Sequence, residues 1–78
     1  MGANTDDGFI VESQAQPAEE GRAATLMVFL VLASDETEAL GLVEADHPGL
    51  EHRISSSGPE IKAQAARLGI EPGTYRQI

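Results

Sequence analysis

Cysteine and tryptophan are absent from this 78-residue chain, and only five lysines and arginines stand against thirteen aspartates and glutamates. Without cysteine, no disulfide can staple the fold and no thiolate can act as nucleophile or metal ligand. The shortage of bases weighs against nucleic acid as a partner, because a polyanion binder concentrates positive potential to neutralise phosphates. The net charge of -8 is unevenly spread. Residues 1–48 hold ten acids and one base, Arg22, for -9; residues 49–78 hold three acids and four bases (Arg53, Lys62, Arg67, Arg76), for +1. Long apolar runs are missing too. The most apolar stretch, LMVFLVLA from Leu26 to Ala33, is far shorter than the roughly 20 residues of a membrane span. Acids rather than bases lie upstream of it, unlike the flank of a signal peptide. A cytoplasmic protein without a membrane partner is the expectation.

What is present suffices for one small domain with a modest core. Residues 1–23 are polar, acidic and rich in small side chains, which offset little of the entropy cost of ordering. They are expected to form a flexible acidic tail, with Phe9, Ile10 and Val11 as one sticky patch. The alternative for residues 8–13 is a short edge strand that joins the main sheet or a partner's. The run from Thr25 to Ala33 is β-branched, aromatic and apolar without a break, the pattern of a central strand buried on both faces. Next, Ser34 is a candidate N-cap, Asp35 and Glu36 put negative charge in a first helical turn, and Pro48-Gly49 ends the helix. Gly41 inside it suggests close packing on the sheet. In LEHRIS, Leu50, His52 and Ile54 share one face of a strand. Residues 56–69 read as a second helix, with Pro59 in its first turn, Ile61, Ala65, Leu68 and Ala66 as its apolar side, and Gly69 just past its end.

The closing stretch, AARLGIEPGTYRQI, resembles the first helix and turn of a helix-turn-helix. That resemblance implies a DNA-binding element over 59–78, contacting a duplex through Arg67, Thr74, Tyr75 and Arg76. It covers little of the chain, and Pro72-Gly73 stands where the recognition helix should open. Only about one and a half turns would remain before Ile78, too few to hold as a helix. The preferred reading makes Glu71-Pro72-Gly73 a type II turn leading to a short strand at Thr74–Ile78, with Tyr75 facing away from Thr74, Arg76 and Ile78. The expected fold class is therefore α+β, a small α/β two-layer unit over residues 24–78. Its core is β-α-β-α-β, a three-stranded sheet packed against two helices. Right-handed crossovers would make consecutive strands parallel, but two short helices cover little of a parallel sheet, so a mixed sheet is allowed.

Candidate sites are sparse. DHPGLEH gathers Asp46, His47, Glu51 and His52, residue types that ligate zinc. A Pro-Gly turn interrupts them, so His47 is expected at the surface and His52 partly buried and hydrogen-bonded. Ser55, Ser56, Ser57 and Gly58 precede a helix, where backbone amides can cradle phosphate, but Glu60 puts a like charge there; capping by Ser57 or Gly58 is the plainer account. No Gly-x-Ser-x-Gly elbow is present. A general acid needs burial or a rigid like-charged neighbour, which Asp6/Asp7 and Glu19/Glu20 in a tail do not have. The chain is accordingly expected to be no enzyme and to need no cofactor. The leading expectation is a small acidic protein-interaction or regulatory domain. It would contact a basic protein surface through Asp35, Glu36, Glu38, Glu44 and Asp46. Self-association through an open edge at residues 25–33 or 74–78 is a second. A small enzyme or metal-binding protein using His47 and His52 is a third.

Overall fold

In the computed structural model, residues 6–15 and 26–78 are described. They form strand β1 (Asp7–Gln14), strand β2 (Leu26–Ala33), helix α1 (Glu36–Asp46), strand β3 (Glu51–Gly58), helix α2 (Pro59–Arg67) and strand β4 (Thr74–Gln77). The strands make one sheet in the order β3-β1-β2-β4, and every neighbouring pair is antiparallel. The fold is α+β with two helices, as expected, but the sheet has four strands rather than three.

The added strand is the segment read as a sticky patch or edge strand. It lies inside the sheet instead. Phe9 pairs with Val31 on one side and with Ser57 on the other. Phe9 and Val11 are buried in the core. The other parts of the expected tail, residues 1–5 and 16–23, lie outside the described residues.

The two-layer expectation also fails, because the helices lie on opposite faces. Successive strand side chains point to opposite sides of a sheet. On one side Phe9, Val11, Phe29, Val31 and Ala33 pack against Ala39 and Val43 of α1. On the other, Leu30 and Leu32 pack against Ala65 of α2 and against Ile70, with Ile10, Ile61 and Leu68 around them. The uninterrupted apolarity of β2 anticipated a strand buried on both faces, and β2 has that place. The β2-α1-β3 crossover does leave β2 and β3 running the same way, but β1 lies between them, so no parallel pair forms.

Local chemistry sets the element ends. Asp35, not Ser34, is the N-cap of α1, its Oδ1 accepting from the Glu38 amide at 2.8 Å. The one-residue shift puts Glu38 at the third helical position. Its carboxylate reaches back to the Ser34 amide at 2.7 Å and hydroxyl at 3.0 Å, much as in a capping box. Helix α2 starts with Pro59 after Gly58, with no side-chain cap, and Ser55–Ser57 belong to β3. The Ser-Gly stretch weighed as a phosphate cradle is extended strand, and Gly58 stands at the N-cap of α2, in keeping with the plainer account. At the far end, Gly69 takes φ of 77°. Its amide bonds the Ala66 carbonyl and that of Ile70 the Ala65 carbonyl, a Schellman ending sealed by Ala65 and Ile70 in the core. Ala66, expected on the apolar side, is exposed.

Candidate functional site

The second helix of a helix-turn-helix does not form. Thr74 donates to the Glu71 carbonyl at 3.1 Å and Gly73 has φ of 80°, closing the expected type II turn. The chain then pairs with β2, Tyr75 opposite Val31 and Arg76 opposite Leu30. Tyr75 faces α1 while Thr74 and Arg76 face the other side. Of the residues weighed for reading a duplex, Thr74, Tyr75 and Arg76 are thus divided between two faces of the sheet, and Arg67 ends α2.

His52 sits at the junction of three elements. Its side chain is only 5% exposed. The β1–β3 register sets it beside Ser13, whose hydroxyl lies 2.6 Å from Nδ1. Nε2 is 3.1 Å from the His47 carbonyl and 3.3 Å from Glu44 Oε1. A neutral ring with its proton on Nε2 satisfies every contact: Nδ1 accepts from Ser13, and Nε2 donates toward His47 and Glu44. A serine, a histidine and a glutamate in line invite a catalytic reading. Ser13 is fully buried, so its hydroxyl cannot reach a substrate, and the group fastens α1 to β1 and β3. The expectation of a partly buried, hydrogen-bonded His52 holds.

His47 does not converge with His52 as a ligand pair. Its ring lies 5.1 Å from that of Phe29, half-buried rather than out in the turn. No group of three or more histidines, aspartates and glutamates gathers around a common point among the described residues. Phe29 also meets Tyr75 edge-on at 5.3 Å. The Tyr75 hydroxyl donates to Asp46 Oδ2 at 2.5 Å. Desolvation first, then the hydrogen bond and charge of Asp46, push the phenol up to about 12.

The five acids singled out in the sequence all belong to α1 or its cap, and all are exposed. Asp35 and Glu38 hold the helix start, while Glu44 and Asp46 reach His52 and Tyr75 from its last turn. No basic residue occupies that last turn, although the partial negative charge of a helix C-terminus favours cations. Two shallow hollows flank this end of α1. One, of about 480 Å³, is lined by Leu42, Ala45, Asp46, Gly73, Thr74 and Tyr75. The other, of about 300 Å³, is lined by Leu40, Gly41, Glu44, Leu50 and His52. Each joins leucine surface to a carboxylate, a combination that appears only once the chain is folded. Gly41 itself faces open space and makes no close approach to the sheet.

Sequence reasoning missed Ser13, the contact of Tyr75 with Asp46 and the cross-strand pair of Arg53 with Glu12, 2.6 Å apart. Alternation within β1 is the one signal that could have found Ser13, since it shares a face with Phe9 and Val11. Comparison with protein-family models, with known proteins and with solved structures finds no match to this chain. Among the described residues, no helix is long and apolar enough to cross a membrane.

Proposed function

We propose that this protein is a non-catalytic interaction module that presents the acidic side of α1 to a basic surface on another protein. The observation that carries the reading is the pair of hollows beside the helix C-terminus, each with leucine surface and one carboxylate, Asp46 or Glu44. A lysine or arginine side chain has matching parts, an aliphatic stem and a charged head. Thr37, Gly41 and Ala45, exposed at four-residue intervals along α1, leave room for a partner backbone to come close. Asp35, Glu36 and Glu38 extend the negative potential along the helix and steer a basic surface toward it. Keeping Glu44 and Asp46 at the unfavourable end of the helix dipole costs about 0.3–1 kcal/mol each. His52 and Tyr75 offset part of that cost.

The test is titration of the isotopically labelled protein with a short lysine- and arginine-rich peptide, followed by amide shifts. Shifts should concentrate on α1 and on Gly73–Tyr75. Affinity should fall as salt rises from about 0.05 to about 0.3 M, across which screening becomes strong. Glu44→Gln and Asp46→Asn should each weaken binding by roughly two- to fivefold, the scale of exposed ion pairs. Binding indifferent to salt, or shifts centred away from α1, would remove the reading.

A further inference from the structure

The two hollows beside the end of α1 are not alike. One joins Glu44 to Leu40, Leu50 and His52, and His52 is almost wholly buried. The other joins Asp46 to Leu42 and to Tyr75, which is half-buried. They lie on different flanks of the helix: at about 100° per residue, Glu44 and Asp46 point roughly 200° apart. Tyr75 is held from two directions. Phe29 meets its ring edge-on at 5.3 Å, and its hydroxyl donates to Asp46 Oδ2 at 2.5 Å. That bond fixes the carboxylate beside the ring and leaves Oδ1 for an incoming donor.

We propose, on the footing that α1 faces a basic partner, that the Asp46 hollow takes an arginine side chain of that partner. Coulomb attraction alone does not tell lysine from arginine; the lining of the hollow does. An ammonium is a compact, strongly hydrated charge. A guanidinium is flat and weakly hydrated, stacks on aromatic rings, and carries several N–H donors in one plane. A cation paired with Asp46 comes beside Tyr75, because the carboxylate and the phenol are bonded to each other. There a guanidinium can rest against the ring while its N–H groups donate to Oδ1, with its aliphatic stem along Leu42 and Ala45. Since Phe29 and Asp46 already hold the ring, binding costs it little freedom. The Glu44 hollow offers no such platform, because the ring of His52 is engaged by Ser13 and the His47 carbonyl within the fold. It accepts either base. The occupant is a different protein rather than a second copy of the chain. A charge of -8 repels its own kind, and the segment at residues 25–33 expected to offer an edge for self-association supplies β2, which lies inside the sheet.

Two peptides of equal length and charge, one with arginine and one with lysine at every basic position, test this against the isotopically labelled full chain. The arginine peptide should bind about two- to fivefold more tightly, the scale of one exposed cation-π contact. Tyr75 is the single tyrosine, so nuclear Overhauser contacts between its ring protons and arginine δ-methylene protons are unambiguous, and they should appear. Tyr75→Leu should abolish the arginine advantage, whereas Tyr75→Phe, which keeps the ring, should keep most of it. Glu44→Gln should weaken both peptides alike. Dispersed amide spectra identify the variants that remain folded, and the Overhauser contacts decide without any variant. Equal affinities with shifts on α1, an advantage that folded Tyr75→Leu retains, or one that Tyr75→Phe loses would each overturn the arginine pocket and leave α1 as a surface for basic partners. Failure of both peptides to shift α1 removes that surface and the pocket with it.

Discussion

At Gly8 an added Cβ would overlap the Lys62 backbone nitrogen and stand 2.5 Å from the Ile61 carbonyl carbon. Neither atom can swing aside as a side-chain tip would, so β1 or the whole of α2 must move. Gly8→Ala is expected to destabilise by about 2 kcal/mol or more, in the range of overpacked cores. Gly41 sits in α1 with nothing within 4 Å of the same built atom. There alanine only restricts the unfolded chain and favours helix, so Gly41→Ala should stabilise by about 1 kcal/mol. Urea unfolding of the two variants measures both, and equal effects would mean that α2 does not rest on β1 at Gly8. The two glycines were indistinguishable in the sequence. Gly41 was expected to be the close approach because it interrupts a helix, yet contact depends on which way the position faces. By contrast, Gly69 and Gly73 were readable in advance, because a helix ending and a type II turn impose positive φ through local geometry alone.

Helix α1 depends on its neighbours more than on its own sequence. Its last turn holds two acids and no base, and it is fastened by Glu44 to His52 and by Asp46 to Tyr75. The second contact makes a prediction about pH. An unfolded tyrosine ionises near 10.0, whereas Tyr75 is pushed up to about 12. Because the folded value is the higher one, this stabilisation is complete below pH 10 and is lost as pH climbs through about 12. Tyr75 is the single tyrosine and the chain has no tryptophan, so the ultraviolet titration of tyrosinate reads this group alone. The wild-type midpoint should lie well above that of a free tyrosine. Asp46→Asn should bring it down, since the carboxylate supplies two of the three causes. A wild-type midpoint at the free value would show that α1 and β4 are not joined there. None of this pairing was legible in the sequence, where Asp46 and Tyr75 lie 29 positions apart. His52 was half legible: alternation marked it as inward-facing, but Ser13 could be named only once β1 had a place beside β3.

For the whole molecule, strand order is the decisive feature. β1 and β2 lie inside the sheet and carry Phe9, Val11, Phe29 and Val31 into the core. Amide hydrogens paired on these two strands should therefore exchange most slowly, opening only with global unfolding, while β4 and the outward amides of β3 exchange sooner. Exchange of the Phe9–Val11 amides at the rate of an unstructured chain would refute the four-stranded order. The same order separates the surfaces. The acid-rich helix α1 covers one face and α2 lies on the other.

From the sequence alone, the positions of five of the six elements could be read, with their turns, the burial of β2 on both faces and the charge asymmetry. These features depend on periodicity, propensity and composition, all of which act over a few neighbouring residues. Tertiary structure decided that residues 7–14 complete the sheet and that the helices take opposite faces. Those outcomes depend on hydrogen bonding and packing between segments far apart in the chain. A short apolar patch amid polar residues has the same local pattern as a tail or as a strand. What makes it a strand is the pairing that β2 and β3 offer on its two sides.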